Sequence, residues 1–542
     1  MTYQGVVFIW ALVATLALAS ASNSSSTAQC TNGPLRPTVA IDSGVVAGTT
    51  ASIPSSNITV AKYLGIPFAE RPVRFSPPVR ARPWDGVYDA SEYKPACNQV
   101  FRGTGEEREE RIRQFNTPPP PAGEDEDCLN INVYAPAGAE PGSRPVLFWI
   151  FGGNLQFGTG SLPLYNSTEF VAFEDVVIVT SNYRTNIFGF PGSPDLLNGT
   201  QNPGLLDQRL ALDWTRRNIA AFGGNPDKIT LFGESAGGGS IDYILTSPPL
   251  PIPFRGAIIQ SNQGSIRLSP NNGSRRAWDD LTKLVGCDCE DSLACMRTVP
   301  AKELVRRVEE QDMVFEPEED GGVTLASNLR QRRLNSEEQP WSFARVPVMV
   351  GTNADEGRFS NLRNVTLDQV LAMSGIPEDV TEIIGAQYPI GSPGITDEWD
   401  RVTVLLTELL ALCPMRYFTD DNRAVGIDTW RYFFDAAFPN SEIFERSGAY
   451  HTAELELVFG TYDEEGSTAY QRRLSRDMQT AWARFARDPA AGPGWDAVPA
   501  VAVLGGGVRE GDEESPEETI SMVQENDLDA RCILFRSLYH IE

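Results

Sequence analysis

The stretch Ile229-Thr230-Leu231-Phe232-Gly233-Glu234-Ser235-Ala236-Gly237 decides the fold. Its first four residues are apolar or β-branched and read as a strand. A serine framed by two glycines follows at once. At that spacing the serine can sit on a tight strand-to-helix turn that lifts its hydroxyl off the sheet edge, and the glycines let neighbouring backbone approach closely. In a chain with 47 glycines one such pentapeptide is a weak signal, and a structural turn is its plain reading. Its position directly behind a strand makes Ser235 a candidate nucleophile.

A serine hydroxyl needs a general base, usually histidine. The chain has 2 histidines, His451 and His540. His540 is third from the end, where chains are commonly loose. His451 lies in Gly448-Ala449-Tyr450-His451-Thr452-Ala453-Glu454, behind the apolar run 429–434. An ordinary loop residue is the plain reading of His451, but a catalytic serine has few other partners here. On such a sheet the acid falls between serine and histidine, just past a strand. The run 346–350 leads into Gly351-Thr352-Asn353-Ala354-Asp355-Glu356-Gly357, which offers Asp355 and Glu356. The residues alone do not choose between them. An oxyanion needs fixed N–H donors, one from the residue after the nucleophile and one from a Gly-rich loop behind an earlier strand. Ala236 and the stretch Phe148-Trp149-Ile150-Phe151-Gly152-Gly153-Asn154 meet those needs.

Short β-rich runs recur at 146–151, 176–180, 229–232, 257–260, 346–350 and 429–434. Helix-like patterns separate several of them. In 204–222, Leu205, Leu206, Leu210, Leu212 and Trp214 punctuate charged residues. The alternation predicts an α/β protein with a mostly parallel sheet flanked by helices. The charged, Pro-rich segment 101–127 reads as a long surface loop, and 505–518 as an acidic loop. No repeat or composition shift marks a boundary, so 22–542 reads as a single domain with insertions.

The 542 residues are 41% hydrophobic and 22% charged, which argues against wholesale disorder. Against 72 Asp and Glu stand 45 Lys and Arg, a net charge of −27. That surface repels phosphate backbones and anionic lipid, so nucleic-acid and membrane-surface partners are disfavoured. Residues 6–18 are nearly all apolar and lead to Ala19-Ser20-Ala21, the small-x-small form of a signal-peptidase site. This predicts a signal peptide over 1–21 and a secreted protein. No Lys or Arg precedes the apolar run, and an uncleaved anchor is the alternative. No later run reads as long enough to span a bilayer, and no lipid-anchor tail is visible. The cysteines are Cys30, Cys97, Cys128, Cys287, Cys289, Cys295, Cys413 and Cys532. An even count behind a leader points to disulfides. Cys287, Cys289 and Cys295 lack a fourth ligand and a nearby histidine, so no metal site is expected. A short disulfide loop with one cysteine paired elsewhere fits them better. Sequons at Asn23, Asn57, Asn166, Asn198, Asn272 and Asn364 fit a glycosylated secreted chain.

With these residues in hand, the chain resembles the type-B carboxylesterases, which include cholinesterases, fungal extracellular lipases and bacterial esterases. The stretch Phe222-Gly223-Gly224-Asn225-Pro226-Asp227-Lys228-Ile229, continued through Gly237, resembles that family's active-site signature. Glu126-Asp127-Cys128-Leu129-Asn130-Ile131-Asn132-Val133 resembles its second signature. Asn202-Pro203-Gly204-Leu205-Leu206-Asp207-Gln208 and Asn182-Tyr183-Arg184 match further blocks. The resemblance implies an α/β-hydrolase fold, a Ser235–His451–Glu356 triad, and an oxyanion hole of Gly153, Asn154 and Ala236. It implies a Cys97–Cys128 bridge and a short bridge from Cys287 or Cys289 to Cys295.

The function so implied is secreted carboxylic ester hydrolysis through an acyl-enzyme, on a small-molecule ester and without metal or cofactor. In fungal lipases of this family the loop closed by the first disulfide carries an apolar-faced lid. Here that loop holds Glu106, Glu107, Arg108, Glu109, Glu110, Arg111 and Arg113, then four prolines, which favours a soluble ester over an oil droplet. Two other readings stay open: a tailoring or acyl-transfer enzyme of specialised metabolism, and a non-catalytic adhesion or binding module. The chain departs from its relatives at Asn154 and Leu155, where a third glycine and an aromatic are usual. Asn tolerates left-handed backbone, so its N–H can still serve.

Overall fold

The computed structural model describes residues 36–266, 274–373, 378–509 and 516–539. In chain order the strands are β1 (Thr38–Ile41), β2 (Gly44–Ala47), β3 (Thr49–Ser52), β4 (Thr59–Pro67), β5 (Val87–Asp89), β6 (Asn130–Pro136) and β7 (Arg144–Ile150). They continue as β8 (Val177–Ser181), β9 (Gly224–Glu234), β10 (Gly256–Gln260), β11 (Val348–Asn353), β12 (Thr429–Ala436), β13 (Ala500–Val508) and β14 (Ile520–Gln524). Among the described residues, 11 strands form one sheet in the order β14-β13-β12-β11-β10-β9-β7-β8-β6-β4-β3. Every neighbouring pair from β8 to β13 is parallel. Antiparallel pairs finish both edges. The strands β1, β2 and β5 make a small separate sheet.

The central strands are apolar throughout because helices cover both faces of a parallel sheet. All five residues of β8 and of β10 are buried. The helix Pro203–Asn218 starts on a proline whose missing N–H costs nothing there, and buries Leu205, Leu212 and Trp214. Trp482, on the helix Ala469–Arg487, is fully buried and donates from Nε1 to Gln260 Oε1 at 3.1 Å. The fold is an α/β-hydrolase sheet, as the sequence predicts, and Arg36–Glu542 forms one compact unit. The leader segment 1–21 lies outside the described residues.

Several expectations need correction. Segment 101–127 is not all loop, because it contains the helix Glu106–Asn116. Acidic residues in its first turn, Arg113 in its last, and the Glu107–Arg111 pair one turn apart favour helix. Of its residues only Phe115 is buried, so no apolar stripe betrayed it. The start of 505–518 is strand, since β13 runs to Val508; residues 510–515 lie outside the described set. The helical stretch Glu398–Ala424 is long and apolar enough to cross a membrane, contrary to the expectation, but 83% of its most apolar window is buried in the fold. Scattered polar residues such as Asp400 and Glu408 hide that stretch from a search for unbroken apolar runs, and the folded chain satisfies them internally.

Three disulfides join Cys97 to Cys128, Cys287 to Cys295 and Cys413 to Cys532. The open choice at the short bridge therefore falls on Cys287, and Cys289 is exposed and unpaired among the described residues. Cys30 is outside them. Of the sequons, Asn57, Asn198 and Asn364 are exposed, Asn166 is half-buried, and Asn23 and Asn272 lie outside the described residues.

Candidate active site

The turn after β9 holds Ser235 at φ 54°, ψ −126°, a backbone state that a non-glycine residue adopts only when its surroundings force it. The forcing contacts come from the neighbouring strand. A Cβ on Gly237 would meet the Ile150 carbonyl oxygen at 2.0 Å, and one on Gly233 would meet it at 2.7 Å. The Ser235 N–H donates to Gln260 O at 2.9 Å and its carbonyl accepts from Gly239 N at 3.0 Å. The helix Ala236–Thr246 begins on the next residue. The Ala236 N–H thus belongs to the first turn, where no intrahelical acceptor exists and the helix dipole favours negative charge.

Beside this turn runs the loop that follows β7. Gly153 has φ 96°, Asn154 φ 54° and Leu155 φ 58°. Asparagine at 154 thus occupies the left-handed region that it tolerates better than most residues. The loop is anchored at its root: Tyr183 donates to Phe151 O at 2.8 Å and stacks on the Phe151 ring at 4.2 Å. The next residue, Arg184, makes a buried bidentate pair with Asp207, both bonds 2.8 Å. The Arg184–Asp207 pair joins the block Asn182-Tyr183-Arg184 to the block that begins at Asn202.

His451 follows β12 on a loop that reaches back to β11. Its Nδ1 lies 2.6 Å from Glu356 Oε2, and the other Glu356 oxygen accepts the Asn353 N–H at 2.8 Å. Asp355, the alternative acid, points elsewhere. It accepts the Ala449 N–H at 2.9 Å and faces Arg358 at 3.4 Å. On the far edge of the imidazole, Nε2 lies 3.1 Å from Glu234 Oε1. His540 lies outside the described residues.

Two carboxylates here were not singled out from sequence. Glu234 precedes the nucleophile and is buried. Burial pushes its carboxyl well above the ordinary range; His451 opposes the rise, while Glu454 and Glu356 add to it. Glu454 is buried three residues after the histidine. It accepts from Gln260 Nε2 at 2.9 Å and Asn353 Nδ2 at 2.6 Å. Burial is also the main cause of its raised pKa. For His451 burial works against the charged form, but the Glu234 and Glu356 carboxylates outweigh it and raise the imidazole above its ordinary value of 6.5. The available signal was the polar residue that closes each apolar strand: Glu234, Gln260 and Asn353.

Ser235, Glu234, His451, Gly153 and Asn154 all line one cavity of about 430 Å³. The helix Glu106–Asn116 forms another part of its wall, through residues that include Glu107, Glu110 and Arg111. The second signature block secures the base of this wall. Cys128 bonds Cys97, and Glu126 pairs with Arg74 at 2.6 and 2.7 Å. The arrangement brings a serine, an imidazole oriented by a carboxylate, and the backbone of Gly153 and Asn154 to one space.

The chain is similar to known proteins along most of its length. Secreted lipase 5 of Gibberella zeae is 33% identical over 475 residues, covering 80% of this chain and 83% of the lipase. The acetylcholinesterase of Bungarus fasciatus is 32% identical over 502 residues, covering 83% and 79%. That of Electrophorus electricus is 30% identical over 524 residues, covering 82% and 78%. The model of the Carboxylesterase family matches residues 35–498, and the chain belongs to that family.

Proposed function

We propose that the protein is a secreted carboxylesterase that cleaves small-molecule esters through a Ser235–His451–Glu356 triad and an acyl-enzyme. The observation that carries this reading is the 2.6 Å bond between His451 Nδ1 and Glu356 Oε2 beside the cavity that holds Ser235. With Nδ1 committed, Nε2 is the nitrogen that takes the Ser235 proton as Oγ attacks the ester carbonyl. The N–H groups of Gly153, Asn154 and Ala236 hold the oxyanion. The imidazolium, stabilised by Glu356 and Glu234, then protonates the departing alkoxide. Water repeats the sequence and frees the acid.

Esterase rather than lipase action is supported by the helix over the cavity, which buries only Phe115 and presents charge. Such a surface does not seat on an oil droplet. Secretion is supported by the three disulfides, by the exposed sequons, and by the likeness to a secreted lipase. Turnover of a chain-length series of nitrophenyl esters by the wild type and Ser235→Ala tests the reading. The expected outcome is hydrolysis of short esters by the wild type alone. Turnover retained in Ser235→Ala would overturn it.

A further inference from the structure

Two cavities meet at the oxyanion loop. The first, about 430 Å³, holds Ser235, Glu234 and His451. The second, about 280 Å³, lies past Asn154, which lines both, and includes Ala236. On the ester-hydrolase reading above, reaction stereochemistry distributes the substrate between them. The imidazole has to hand a proton to the leaving alkoxide, so the alcohol sits on the His451 side. The carbonyl oxygen faces the N–H groups of residues 153, 154 and 236. The acyl chain takes the remaining direction, past Asn154 and Ala236 into the second cavity.

The two linings differ in chemistry. On the alcohol side Phe115, Phe157, Phe359 and Phe444 supply aromatic walls beside the charged helix Glu106–Asn116. On the acyl side Asn262, Gln263 and Glu316 are set among apolar residues such as Leu155, Leu409 and Leu410. Gln263 is engaged within its own turn: Oε1 accepts from Ser265 N and Ile266 N at 2.9 and 2.7 Å, and Nε2 donates to Ile266 O at 2.8 Å. Among the described residues, Asn262 is engaged at one end only. Its Oδ1 accepts the Gln263 N–H at 2.8 Å. That bond fixes the amide, with Nδ2 beside Gly239 on the first turn of the helix after Ser235, where a Cβ would lie 3.4 Å away. Glu316 brings a carboxylate to the same cavity.

We infer that the acyl side takes a short, neutral acyl group bearing a hydroxyl, which accepts from Asn262 Nδ2 and donates to Glu316. An alkyl chain strips water from both groups and returns no hydrogen bond, which costs at least about tenfold in kcat/KM. An acyl group carrying its own carboxylate is opposed by the Glu316 charge.

Benzyl butyrate, benzyl β-hydroxybutyrate and benzyl decanoate share an aromatic alcohol and differ only in the acyl part. The wild type is expected to favour the hydroxybutyrate over the butyrate by about tenfold or more in kcat/KM, with the decanoate slowest. In Asn262→Leu the ratio of hydroxybutyrate to butyrate falls toward one, and Glu316→Gln lowers it too. Equal rates on butyrate and hydroxybutyrate, or fastest turnover of decanoate, overturn the inference while leaving the esterase reading standing. That comparison needs no variant, so a misfolded Asn262→Leu leaves it decisive. A folded Asn262→Leu that keeps the wild-type ratio also overturns the inference. Hydrolysis of none of the three overturns the esterase reading and this inference together.

Discussion

His451 stands between two carboxylates: Glu356 lies 2.6 Å from Nδ1, and Glu234 lies 3.1 Å from Nε2. The imidazole and the buried Glu234 carboxyl stand close enough that the two titrate as a pair. Both carboxylates favour the imidazolium, so the base is freed only as pH rises through the titration of that pair.

Replacing Glu234 by Gln removes one carboxylate beside the imidazolium. With less negative charge the proton leaves at lower pH. The acidic limb of the kcat/KM profile is expected to shift to lower pH in Glu234→Gln. A limb that stays in place or moves to higher pH would show that Glu234 does not act on His451.

Glu356→Gln and Asp355→Asn separate the two neighbouring carboxylates. The first is expected to lose turnover on the order of 10⁴-fold, as for the amide of a triad acid. The second keeps the imidazole's partner but weakens the bond to the Ala449 N–H, so its effect falls on stability, at about 1–3 kcal/mol. Steady-state kinetics with thermal melts of both variants reads the difference.

This pair also marks how far the sequence could be read. The strand before the loop was legible because apolar runs of a buried parallel strand stand out. Asp355 and Glu356 were not separable from the residues alone, because the choice rests on which way each side chain leaves the loop after β11, and that depends on the Ala449 and Asn353 N–H groups it meets. Ser235 was legible because strand, glycine spacing and helix agree on one turn. The strands β1, β2, β3 and β5 were missed because each has only three or four residues, too few for an alternation to register. The helix Glu106–Asn116 was missed for the opposite reason: its charges are plain, but no apolar face announces it. Glu234 was quoted as part of a motif without a role, since only the fold brings it against a histidine 217 positions later.

Asn154 carries φ 54°, so side-chain branching at that position is costly. Asn154→Gly is expected to keep turnover of short esters within a few-fold, because the N–H remains. Asn154→Val is expected to lose turnover by at least about tenfold, because a β-branched residue strains that backbone by about 1–3 kcal/mol and displaces the donor. Equal activity in the two variants would show that the N–H of residue 154 does not bear on the reaction.

The bridge Cys97–Cys128 closes a loop of sequence separation 31 that carries the helix over the cavity. Opening it with Cys97→Ala and Cys128→Ala is expected to lower stability by about 3–4 kcal/mol by loop entropy. The freed helix also loosens the cavity wall, so KM rises. Denaturant melts and steady-state kinetics check both; an unchanged KM would separate the helix from substrate binding.

The assignment of Ser235 is tested most directly by covalent trapping. The protein is treated with diethyl p-nitrophenyl phosphate and the modified residue is located by peptide mass spectrometry. The expected result is one diethylphosphoryl group per chain, on Ser235, with activity lost in proportion and no adduct in Ser235→Ala. Stoichiometric labelling of another residue with loss of activity, or full activity in a protein labelled at Ser235, would contradict it.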